Sequence, residues 1–213
     1  MLMLSERNEL LKLNITEKEG QNGRSLYILQ LVDNKDKEIG FCNFTNSTDI
    51  LFNKYPTIWI YKIEVNDVNN RGKAYGKALI DATEYFASTN LSVDRIEGKF
   101  YPDRGYYDQV EKFYLRNGYE ITDYDDWGHY MILKVLNEKI IDKNTGEKID
   151  KKQEIIQRVG SKIIEPPKVK FVSLEEQKKE EQEKAAKIQK IEIIVSDAEK
   201  AQNTKLNKIG FKL

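Results

Sequence analysis

Aromatic residues crowd one end of this chain. Of its 22 phenylalanine, tyrosine and tryptophan residues, 20 fall within residues 1–137, and only Phe171 and Phe211 lie beyond. Large aromatics supply much of a core's buried area, so the core-forming unit is expected over 1–137. Charge runs the other way: residues 138–213 hold 18 basic and 14 acidic side chains, which reads as an extension and not as a second core. The whole chain balances 35 basic against 35 acidic residues. It therefore lacks a global positive field, and the slightly basic extension alternates in sign without interleaved aromatics, so nucleic acid is not an expected partner. One cysteine, Cys42, and one histidine, His129, exclude an internal disulfide and a cysteine- or histidine-rich metal site. No metal is expected. No apolar run reaches the ~18 residues of a membrane span, and the first residues turn polar too early for a secretory signal. The expected setting is a reducing cytoplasm. Abundant Lys, Asn and Ile point to an AT-rich bacterial genome or mobile element.

The patterning inside 1–137 alternates strand and helix signals. Leu26–Val32 and Glu38–Phe44 flank a turn-forming Asp33-Asn34-Lys35-Asp36 and read as a hairpin. Thr57–Val65 is the strongest strand signal, and strict alternation would put Trp59, Tyr61, Ile63 and Val65 on one face. Ile58, Ile60, Lys62 and Glu64 would share the other. Ala74–Ser88 carries apolar residues at helical spacing. Asp94–Tyr101 is a weaker strand. Tyr107–Asn117 is a second helix, ended by Gly118 in the position of a C-terminal glycine cap. Tyr119–Ile121 and Tyr130–Leu136 close the series. The expected fold is a mixed α/β layer, with a mostly antiparallel central sheet and flanking helices.

The segment Arg71-Gly72-Lys73-Ala74-Tyr75-Gly76-Lys77 lies between the strongest strand and the first helix. Small residues let backbone approach a ligand, and the unpaired N–H groups of a helix start attract phosphate. Arg71 and Lys73 add positive charge. A pyrophosphate cradle and a merely glycine-rich helix entry both account for the pattern. The stretch is neither a P-loop nor a dinucleotide fingerprint, because it lacks the Gly-Lys-Ser/Thr ending of the one and the third glycine of the other.

Two motifs here resemble those of the GCN5-related N-acetyltransferase (GNAT) family, which transfers an acyl group from acyl-coenzyme A to an amine. The first is Arg71 to Gly76, similar to the family's Gln/Arg-x-x-Gly-x-Gly/Ala. Ala74 stands at the middle glycine, and the loop from Val65 is about one residue longer. The second is Phe113-Tyr114-Leu115-Arg116-Asn117-Gly118-Tyr119, similar to Phe-Tyr-x-Lys-x-Gly-Phe. Tyr107 stands where an asparagine is common. The resemblance covers roughly residues 20–137. It implies acetyl-CoA as co-substrate and an amine acceptor as partner. It implies backbone contacts from Val65 to the acyl group and pantetheine arm. It assigns Arg71, Gly72, Lys73, Ala74 and Gly76, with Lys77, to the pyrophosphate, and makes Tyr114 the acid that protonates the leaving thiolate.

A tyrosine suits that task, since its pKa of ~10 lies close to or above a thiol's ~8.5. A base must also take a proton from the attacking ammonium, directly or through water. Glu64, beside Val65, is the candidate, against the alternative of a surface carboxylate paired with Lys62. His129 reads as a loop or strand-edge residue. Glu120, Asp123, Asp125 and Asp126 form an acidic loop that either attracts a cationic acceptor or is simply solvated. The aromatic-rich Phe100–Tyr107 either lines an acceptor pocket or lies on the surface. The rival to an enzyme is a non-catalytic CoA-binding or regulatory module that works through the extension. That extension reads as a small hairpin over Ile140–Ile149, a break at Pro166-Pro167, and a capping box at Ser173-Leu174-Glu175-Glu176 opening a polar helix to about Gln202. The helix over 174–202 is either a solvated arm or a docking surface for a protein partner or for self-association.

Overall fold

The computed structural model describes residues 1–20, 24–47, 55–70, 72–100, 106–124, 130–141, 146 and 148–188. Two compact units emerge, Met1–Phe171 and Val172–Leu213.

The first unit is built on a ten-stranded sheet. In chain order its strands are β1 (Leu2–Leu4), β2 (Leu10–Glu19), β3 (Ser25–Val32), β4 (Glu38–Ser47), β5 (Thr57–Val65), β6 (Arg95–Phe100), β7 (Glu120–Tyr124) and β8 (Tyr130–Val135). β9 (Lys139–Ile141) and β10 (Lys148–Asp150) form a separate antiparallel hairpin, as expected from the sequence. β11 (Ile163–Glu165) and β12 (Val169–Val172) return to the main sheet. The strand order is β11-β1-β2-β3-β4-β5-β6-β8-β7, with β12 pairing β2 off this path. Along the main path from β11 to β7 every pairing is antiparallel except β5 with β6. Helix α1 (Tyr75–Asn90) makes the crossover between these two parallel strands, and α2 (Tyr107–Arg116) connects β6 to β7. The mixed, mostly antiparallel sheet with flanking helices is the expected fold.

The core lies between the sheet and α1. Leu13, Leu29, Leu31, Phe44, Ile58 and Ile96 meet Leu79, Ala82 and Phe86 there, all almost fully buried. The faces of β5 depart from strict alternation. Asn43 pairs with Lys62 and Phe44 with Ile60, which leaves Tyr61 as an extra residue. Such a β-bulge reverses which residues face inward. Ile63 and Val65 therefore pack against the core on the side of Ile58 and Ile60, while Tyr61 stays exposed. The expected grouping of Ile63 and Val65 with Trp59 and Tyr61 does not hold beyond this bulge.

The core also reaches past residue 137. Helix α3 (Lys151–Gly160) packs against α1, and its Ile155 and Val159 are fully buried. The compact unit thus ends near Phe171, where aromatic content alone places a boundary at 137. Short aliphatic side chains at helical spacing fill this part of the core, and they leave no mark on an aromatic count.

In the second unit, residues 174–188 are helical. The capping box forms: the N–H of Glu176 donates to Ser173 Oγ at 3.2 Å and the N–H of Ser173 to Glu176 Oε2 at 3.0 Å. The expected continuation to Gln202 lies outside the described residues. Among the described residues no helix is long and apolar enough to cross a membrane.

Candidate active site

The parallel pairing of β5 and β6 runs from Thr57 opposite Arg95 to Ile60 opposite Gly98. Beyond that point β5 continues to Val65, while β6 stays with β8 out to Phe100. A cleft of about 1350 Å³ lies at this parting. Its lining includes Ile60–Val65 of β5 and Asn66 just beyond it, Lys99 and Phe100 of β6, the start of α1 and one face of α2. Among the described charged residues of the lining, five are cationic and two, Glu6 and Glu64, are carboxylates. That balance favours an anionic ligand.

The start of α1 has an unusual backbone. Gly72 has φ +75° and Ala74, the N-cap residue, has φ +63°. Ala74 has no side chain able to cap the first turn. The first-turn N–H groups therefore have no side-chain cap at the end of a positive helix dipole. Gly76 has a different reason to be glycine: a Cβ there would sit 3.3 Å from the Phe113 ring. Its small size thus accommodates the contact between α1 and α2. Lys77 lines the cleft, but its ammonium is paired with Asp81 and lies 3.9 Å from Glu6. Lys73 contacts Asn70 at 3.4 Å and stands outside the cleft lining. Arg71 lies outside the described residues.

Tyr114 is placed by the end of α2. Gly118 has φ +74°, its N–H reaches Leu115 O, and the N–H of Tyr119 reaches Tyr114 O at 3.1 Å. This pair of bonds is the Schellman pattern that the glycine permits. The Tyr114 ring packs on Phe100, Phe113 and Tyr119, with centroids 5.2, 5.2 and 5.6 Å away. The residue is 3% exposed yet contributes to the cleft lining. Burial holds its hydroxyl pKa well above the ordinary phenol value, with Cys42 adding to the effect.

Glu64 and Val65 both line the cleft. Glu64 is half-exposed and its carboxylate sits 2.5 Å from Lys62 Nζ, so the pairing foreseen as the alternative is formed. The cleft thus gathers Tyr114, Glu64, Val65, Gly72, Ala74, Gly76 and Lys77, without Lys73. Side chains 123–129, including His129 and three aspartates of the acidic loop, lie outside the described residues. Sequence reasoning missed Glu6 and Arg7, which come to the lining from the β1–β2 turn. The alternation of Leu11, Leu13 and Ile15 marks β2, but nothing local ties residue 7 to residue 72.

No family model matches the chain, and no curated protein sequence matches it. Solved structures do. An acetyltransferase from Bacillus cereus is 20% identical, over 53% of this chain and 74% of its own, with a TM-score of 0.42. Ard1 from Thermoplasma volcanium is 19% identical, over 52% and 71%, with a TM-score of 0.41. A GNAT-family acetyltransferase from Staphylococcus aureus is 14% identical, over 52% and 68%, with a TM-score of 0.42. Over about half of its length, the chain resembles GNAT-family acetyltransferases.

Proposed function

We propose that the protein transfers an acyl group, acetyl in the first instance, from acyl-coenzyme A to a primary amine. The observation that carries this reading is the uncapped start of α1, which joins Tyr114 in lining the cleft where β5 and β6 part. The pyrophosphate sits at the first-turn N–H groups of α1, and the pantetheine arm follows β5 toward Val65. The amine attacks the thioester carbonyl carbon, the C–S bond breaks, and CoA leaves as a thiolate. Glu64 receives the ammonium proton, directly or through water; the only other described carboxylate of the lining is Glu6.

The environment of Tyr114 refines its role. A phenol held well above its ordinary pKa by burial does not readily give a proton to a thiolate whose conjugate acid is near ~8.5. It stays protonated and donates a hydrogen bond to the sulfur as negative charge develops, and solvent completes the protonation. Such a donor stabilises the transition state without needing to change its charge.

Calorimetric titration with acetyl-CoA, followed by thiol release in the presence of an amine panel, tests the reading. Binding with amine-dependent release supports it. Binding without release leaves a non-catalytic CoA-binding module, for which residues 174–202 are the candidate contact with a protein partner or a second copy. Absence of binding removes both.

A further inference from the structure

The turn between β1 and β2 is fastened from within. Ser5 is buried, its Oγ accepts from the N–H groups of Arg7 and Glu9 at 3.1 Å each, and its own N–H donates to Glu9 O at 2.9 Å. Three side chains of this turn reach the entrance of α1. Arg7 Nη2 donates to the Gly72 carbonyl at 2.5 Å. The Glu6 carboxylate lies 3.9 Å from Lys77 Nζ. Glu9 faces the same entrance, where its carboxylate, after burial, raises the pKa of the Tyr75 hydroxyl.

These contacts meet a loop whose backbone needs support. Between Gly72 and Ala74 the chain visits the left-handed region twice, once without a glycine. Such a conformation persists only where its surroundings over-determine it. We propose that the Ser5–Glu9 turn is a clamp that holds the α1 entrance in its ligand-ready form, with Arg7 as the positioning residue. The proposal rests on the acyl-CoA reading of the cleft. Arg7 is exposed, so its contact contributes little by burial. A guanidinium carries five N–H donors, and Arg7 also lines the cleft. Through Gly72 it fixes where the first-turn N–H groups of α1 point, and its positive charge faces the same anion.

The test is Arg7→Ala beside Arg7→Lys, read by amide hydrogen exchange and by acetyl-CoA calorimetry on the full chain. In Arg7→Ala without ligand, exchange at Lys73 and Ala78, whose N–H groups donate to Asn70 O and Ala74 O across this entrance, should rise about tenfold, the order of one charge-assisted hydrogen bond. Exchange across Leu79–Phe86 and the melting temperature should stay unchanged. Acetyl-CoA affinity should fall about tenfold by the same argument, and Arg7→Lys should lie between the variant and the wild type in both readouts. Unchanged exchange at Lys73 and Ala78 overturns the clamp. Raised exchange with unchanged affinity overturns its role in ligand positioning. A wild type that fails to bind acetyl-CoA sinks the reading of the cleft instead, and the exchange result still decides whether the clamp exists.

Discussion

Arg158 Nη1 lies 2.7 Å from Asp81 Oδ1, joining α3 to the middle of α1. The same guanidinium reaches Glu84 Oε2 at 3.2 Å, and Lys134 Nζ of β8 sits 2.7 Å from Glu84 Oε1. Lys134 also donates to Asn117 O at the end of α2, at 2.8 Å. One network therefore ties α1, α2, α3 and β8, and it positions both helices that line the cleft. Burial alone would raise the Asp81 carboxyl pKa, but Lys77 and Arg158 outweigh it and leave it below the ordinary value. Burial raises Glu84 despite its pairing with Lys134.

Arg158→Leu should expose that dependence. It leaves two almost fully buried carboxylates with one cation fewer. The expected loss at pH 7 is about 1–3 kcal/mol, below that of a fully buried pair because Arg158 is one-third exposed. The folded pKa of Asp81 is depressed, so its contribution is present above the unfolded value of ~3.9 and is lost as pH falls through the lower folded value. The stability gap between wild type and variant should thus be widest above pH ~5 and narrow toward pH ~3. Urea denaturation across a pH series measures it, and a gap independent of pH would contradict the assignment.

Ala74→Gly should stabilise the protein. The left-handed region costs a residue with a Cβ roughly 1–2 kcal/mol, offset by roughly 0.5–1 kcal/mol of extra glycine entropy. The net gain is about 0.5–1 kcal/mol, or a rise in Tm of about 1–4 °C. Differential scanning calorimetry would register it. A lower Tm would mean that the αL backbone at 74 is not kept in solution.

Two truncations separate the aromatic boundary from the packed one. A chain ending at residue 172 should keep its near-UV circular dichroism, because α3 and β11 remain. A chain ending at 137 should lose it, since Ile155 and Val159 leave the core and Asp81 loses Arg158. Equal spectra from both would show that α3 is dispensable.

The β3–β4 hairpin, β5, both helices of the aromatic segment and the Gly118 cap were legible because each writes its period or its breaker locally. The bulge at Tyr61 was not, because it depends on how β4 and β5 come into register. Arg158 was not, because its partners lie 77 and 74 residues away. At the site, Tyr114 and the start of α1 followed from motif resemblance, whereas the contact of Phe113 with Gly76 needed three-dimensional packing. That contact also changes how Gly76 is to be tested: a larger side chain there disturbs the α1–α2 contact whether or not phosphate binds.

Amine-dependent release of CoA thiol, measured for wild type and Tyr114→Phe alongside their melting temperatures, tests the central claim. The wild type should turn over with at least one primary amine. Tyr114→Phe should bind acetyl-CoA nearly as well and melt within a few degrees of the wild type. Its kcat should fall about 10²–10³-fold, the loss expected for one preorganised donor, with KM little changed. A wild type that releases thiol no faster with amine than without would contradict acyl transfer. Full turnover by a stably folded Tyr114→Phe would remove the hydroxyl from the mechanism.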